Sequence, residues 1–157
     1  MLLKYLIVFF ISMIPILELR FAVPFAVGMD LPYIPALITC VIGNMIPVPF
    51  VYMFARQFLL WGARQKYLGK FCTFVLEKGN KAGQKIVAKT GRGGTFVALM
   101  LFVGIPIPGT GAWTGTLAAS LLDLGPKTTA LSVSLGVVMA GIIMLVTSGS
   151  VFHIVGL

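Results

Sequence analysis

Residues 104–111 read Gly104-Ile105-Pro106-Ile107-Pro108-Gly109-Thr110-Gly111, set between the apolar runs 95–103 and 112–122. Two prolines and three glycines in eight positions cannot continue a regular helix, because proline removes a backbone donor and clashes with the preceding turn. A second interruption lies in Pro15-Ile16-Leu17-Glu18-Leu19-Arg20-Phe21-Ala22-Val23-Pro24, inside the apolar stretch 2–28. Broken backbone at membrane depth survives only where protein or a water-filled cavity surrounds it. The two breaks therefore predict two helical hairpins meeting at a shared cavity.

That the setting is a membrane follows from composition. Of 157 residues, 59% are hydrophobic and 10% charged, against about 25% charged in an ordinary soluble domain. One membrane domain over 1–157 is expected, with hairpin 1 at 2–28, a transmembrane helix at 35–60, a basic cytoplasmic segment at 61–94, hairpin 2 at 95–122 and a transmembrane helix at 127–148. The run Leu2–Leu17 has one preceding lysine and no small-residue cleavage pattern after it, so it reads as a retained segment. Nine of the twelve Lys and Arg residues fall between Arg56 and Arg92. A short basic loop beside a span is placed in the cytoplasm by the positive-inside rule. Lys78, Lys81, Lys85 and Lys89 recur at helical spacing and predict an amphipathic helix on anionic lipid, a purely solvated loop being the alternative.

Sliding the chain by 93 residues pairs Ile14-Pro15 with Ile107-Pro108, Asp30-Leu31 with Asp123-Leu124, Gly43 with Gly136 and Phe9 with Phe102. The expected fold is all-α: two Pro/Gly-broken re-entrant hairpins, each followed by a transmembrane helix, forming an inverted repeat of the kind transporters use. Four ordinary crossings are the competing topology.

Glu18 and Arg20 are ionisable groups isolated in an apolar segment, where each costs several kcal/mol unless paired or wetted. Substrate binding or proton handling is expected of them, with a structural ion pair or snorkelling as the alternative. Pro24 breaks the same segment. In hairpin 2, Pro106, Pro108, Gly109, Thr110, Gly111, Trp113 and Thr114 combine exposed main-chain donors, hydroxyls and an aromatic ring, which suits an anion at a helix start or merely a chain reversal. Asn44, beside Gly43 and before Pro47 and Pro49, either faces the same cavity or bonds between helices. Cys40 and Cys72 read as free thiols at different depths, and with His153 as the one histidine, no metal, cofactor or catalytic triad is expected. No nucleic-acid module accompanies the basic charge, and an enzyme is not expected.

Pro15 to Pro24, Gly43-Asn44-Met45-Ile46-Pro47-Val48-Pro49-Phe50 and Ile105 to Gly115 together resemble the signature stretches of the small multi-drug export family. More distantly, the chain resembles the DedA or SNARE-associated membrane proteins. That resemblance implies transport of a polyprenyl-phosphate lipid carrier with proton coupling, the phosphate on Arg20 and the segment from Pro108 to Gly115, and the proton on Glu18. One departure is that the DedA-type second hairpin carries arginines where this chain has Thr110, Trp113 and Thr114. Proton-coupled export of lipophilic cations and a non-transporting membrane scaffold are the alternatives. The expected partners are anionic inner-leaflet lipids, an amphipathic substrate and a second copy of the chain.

Overall fold

A computed structural model describes residues 1–15, 17–65, 69–107 and 110–155, with backbone alone at 75, 79, 82, 83 and 151–155. Pro108 and Gly109, expected in the site, lie outside the described residues. Every regular element among the described residues is helical: α1 Leu2–Met13, α2 Glu18–Gly28, α3 Tyr33–Met45, α4 Pro47–Ala63, α5 Gly69–Gly104, α6 Ala112–Leu121 and α7 Pro126–Val155.

Among the described residues, three helices are long and apolar enough to cross a membrane: Tyr33–Ala63, which joins α3 to α4, Gln84–Gly104 and Pro126–Ser150. The chain is a multi-pass membrane protein. The middle helix is interrupted at Gly91, whose φ of 70° and ψ of 174° only glycine adopts freely. The backbone kinks there. Helix nevertheless runs on both sides of it, so the arm expected to begin at 95 is the end of the longer α5.

α1 and α2 form an antiparallel pair, closed at its open end where Lys4 Nζ donates to the Met29 carbonyl at 2.8 Å. Twelve and eleven residues span about 16–18 Å each, short of the ~30 Å hydrocarbon core. The end of α5 and α6 are antiparallel as well. A Cβ at Gly115 would touch Val103, Leu99 and Phe102, while Leu124, beyond the end of α6, shares a cleft with Thr95.

Both pairs end alike. Asp30 and Asp123 adopt left-handed φ of 56° and 54°. Leu31 N bonds Ala26 O at 3.1 Å and Leu124 N bonds Ala119 O at 2.9 Å, while Asp30 N bonds Val27 O and Asp123 N bonds Ser120 O. These are Schellman closures, with aspartate where glycine is usual.

The buried centre is built from small and β-branched side chains, including Val8, Ala22, Val23, Ala26, Cys40, Val103, Ala119, Val133 and Val137. Small residues let helix backbones approach where no solvent drives them together. Large apolar side chains instead face outward: Phe21, Ile38, Phe50, Phe54, Leu131 and Ile142 are exposed, as a lipid-facing surface requires. In the first part of α5, Lys78, Lys81, Lys85 and Lys89 are exposed, with Phe71 and Phe74 exposed beside them and Lys78 over the Phe74 ring. Cys40 and Cys72 are free and buried.

Candidate functional site

The two breaks meet. Glu18 opens α2 with a left-handed φ of 49°, a conformation that costs a non-glycine residue about 1 kcal/mol. It directs its carboxylate away from its own helix to the start of α6, where Oε1 accepts the Trp113 main-chain N–H at 3.2 Å. Gly111 precedes the first residue of α6, and no side chain of its own caps that helix. A carboxylate from another element supplies the missing acceptor and meets the positive end of the helix dipole. A Cβ at 111 would overlap the Glu18 carboxylate, so a larger residue there would displace that side chain from the helix start. At 6% exposure Glu18 is buried.

Arg20 takes the other side of the break. Its Nη2 donates to the Thr110 hydroxyl at 2.9 Å and to the Ile105 carbonyl at 3.2 Å, while Thr110 Oγ1 lies 3.0 Å from the Ile105 and Ile107 carbonyls. The guanidinium thus ties Ile105 and Thr110 to α2. A direct pair between Glu18 and Arg20 was one expectation. Instead each side chain hydrogen-bonds to hairpin 2, and the ion pair found among the described residues is Arg56–Asp123.

Asn44, at the end of α3, is 2% exposed and lines a small cavity together with Glu18 and Arg20. Trp113 stands at a junction. Its main chain holds Glu18, and its ring walls a separate apolar cleft of about 530 Å³ with Phe50, Val51, Met53, Phe54 and Gln57. That volume falls within the range of small-molecule sites.

Other expected residues have lesser places. Pro24 is half-buried inside α2, Pro106 is half-buried in the irregular segment, and Thr114 is exposed with its hydroxyl 3.4 Å from the Gly111 carbonyl.

Sequence reasoning missed the seam between α4 and α6. Ser120 Oγ donates to the Tyr52 carbonyl at 3.0 Å, Tyr52 donates its hydroxyl to the Leu124 carbonyl, and Arg56 pairs with Asp123. Opposite charges on Arg56 and Asp123 were the available signal. A cleft of about 400 Å³ lies near this seam, lined by Arg92, Thr95, Asp123, Leu124 and Thr128 among others.

Comparison with curated proteins and with solved structures gives no match. A family model described as "Putative small multi-drug export protein" matches residues 18–143, a stretch that begins at Glu18 inside the first break and takes in the second break, Asn44 and the aromatic cleft. The chain belongs to this small multi-drug export family.

Proposed function

We propose that the protein exports lipophilic cations or similar amphipathic molecules across the cytoplasmic membrane of a prokaryote. The cleft of Phe50, Met53, Phe54 and Trp113 takes the apolar body, and Glu18 is the group whose charge state couples movement to a proton gradient. The observation that carries this reading is the double use of Trp113, which binds the Glu18 carboxylate through its main chain and faces the cleft with its ring. A change at the carboxylate moves the cleft wall. Arg20, whose charge would repel a cation, is absent from the cleft lining.

An anionic lipid carrier has less support. One arm of Arg20 is committed to Ile105 and Thr110, and the described part of hairpin 2 offers no further cation.

Two units of opposite orientation are part of the proposal, each a re-entrant hairpin followed by a span. Its support is the matching pair of Schellman closures and the equivalent positions of Gly43 and Gly136, all offset by 93 residues. This topology places α5 from Gly69 to Thr90 in the cytoplasm and both termini outside. A cytoplasm-dependent reporter fused after Leu157 is expected to stay inactive while one inserted at Asn80 is active. Activity at both positions would refute the two-hairpin topology.

The transport test uses vesicles containing the full chain, an imposed pH gradient and tetraphenylphosphonium as probe. Wild type is expected to drive net flux, and Trp113→Ala to lower it roughly 10-fold, within the ~0.5–2 kcal/mol of an aromatic–cation contact. Unchanged flux in Trp113→Ala would remove the cleft from the mechanism. Translocation of a prenyl phosphate without any flux of the cation would replace this reading with the anionic one.

A further inference from the structure

Folded proteins leave few buried polar atoms without partners, and in hydrocarbon each such atom costs several kcal/mol. Among the described residues they are Arg20 Nε, Asn44 Oδ1, Trp113 Nε1 and Thr116 Oγ1. Arg20 and Asn44 line one cavity of about 10 Å³, and Glu18 lines it with them. The rest of its wall is Leu19, Val103, Gly111, Ala112, Val137 and Ala140, which carry no side-chain polar atom.

Size and chemistry select the occupant. A single water needs roughly 10–15 Å³ and two to four polar partners. The unpartnered atoms at the wall are one donor, Arg20 N–H at Nε, and one acceptor, Asn44 Oδ1, with the Glu18 carboxylate beside them. A metal cation would confront the arginine donor with too few oxygens around it, since hard cations take six or more. An anion would confront the Glu18 carboxylate. Water matches every group: it accepts from Arg20 and donates once to Asn44 and once to Glu18.

We propose that α2, α3, α5, α6 and α7 enclose one structural water that joins Glu18, Arg20 and Asn44. Asn44 is a positioning residue: its carbonyl oxygen fixes the water, and the water solvates a carboxylate that bulk solvent does not reach. The site stands on geometry alone. That Asn44 thereby serves transport rests on the export reading.

The test is magnetisation transfer from water protons to side-chain carboxyl carbons by solid-state NMR, on the full chain in lipid with ¹³C-labelled glutamate. The chain has two glutamates, Glu18 and Glu77, and exposed Glu77 serves as the reference. Glu18 is identified as the signal missing in Glu18→Gln. A water cross-peak at Glu18 is expected in wild type and expected to vanish in Asn44→Leu, which removes the acceptor and fills its space. Ala140→Val fills the cavity from α7 and keeps all three polar groups, so it gives a second answer if Asn44→Leu does not fold. No Glu18 cross-peak in wild type, or an undiminished one in either folded variant, overturns the proposal. Intact water transfer in a chain that moves no probe would sink the export reading alone.

Discussion

Glu18→Gln is expected to lower gradient-driven flux at least a hundredfold, which corresponds to ~2.7 kcal/mol of barrier, while the protein still folds. The substitution separates two roles that one carboxylate holds. Glutamine keeps an oxygen for the Trp113 N–H, so the start of α6 stays capped. It removes the charge and the capacity to exchange a proton. Glu18→Ala removes the cap as well, and loss of an N-terminal acceptor costs about 1 kcal/mol of stability. The expected order is therefore equal loss of flux in both variants, with a lower unfolding temperature only in Glu18→Ala. Gly111→Ala should mimic the functional loss without touching the carboxylate chemically, because its methyl group occupies the carboxylate's space. Flux in Glu18→Gln at the wild-type level, measured at matched protein content in vesicles, would leave Glu18 as a structural cap and nothing more.

The sequence showed which groups needed partners and was silent on which partners they would find. Proline and glycine at 15–24 and 104–111 mark breaks whatever surrounds them, since their backbone restrictions are local. The continuation of α5 through Gly91 was not legible, because Gly91, Gly93 and Gly94 are poor helix formers and mark a break after the amphipathic helix expected at Lys78–Lys89. Glu18 and Arg20 stood out as charges in hydrocarbon, but their partners lie 95, 90 and 85 positions away. No spacing rule reaches that far. The aromatic cleft was illegible for a related reason: Phe50, Met53 and Phe54 read as lipid-facing residues, exposed as they are in the structure, and nothing in their spacing says that α6 brings Trp113 beside them. The Arg56–Asp123 pair and the bonds from Tyr52 and Ser120 share that character, linking α4 to the far end of hairpin 2.

Gly43→Val and Gly136→Val are each expected to leave no folded protein in the membrane, and the alanine versions should give a measurable cost. A Cβ at Gly43 would lie 2.7 Å from the Phe9 carbonyl oxygen and would overlap the Ser12 hydroxyl. At Gly136 it would lie 2.7 Å from the Met100 carbonyl oxygen and 2.8 Å from Val103 Cβ. In both cases the obstacle is backbone, which cannot rotate away as the tip of a side chain can. Overfilling a packed interior costs about 1–3 kcal/mol, and alanine at either site should lower the unfolding free energy by that amount. Gly149→Ala is the control, since a Cβ there meets nothing within 4 Å, and alanine in a helix is favoured over glycine by about 0.8–1 kcal/mol. Unfolding titrations in mixed micelles would read all three. The two costly positions do the same work in different places: Gly43 lets α3 close on α1, and Gly136 lets α7 close on α5. If the halves descend from one repeated unit, the two penalties should agree within a factor of about two, the usual scatter of packing energies between sites. A large cost at one glycine and none at the other would show that the closeness of helices in one half is incidental, and with it the equivalence on which two opposed hairpins depend.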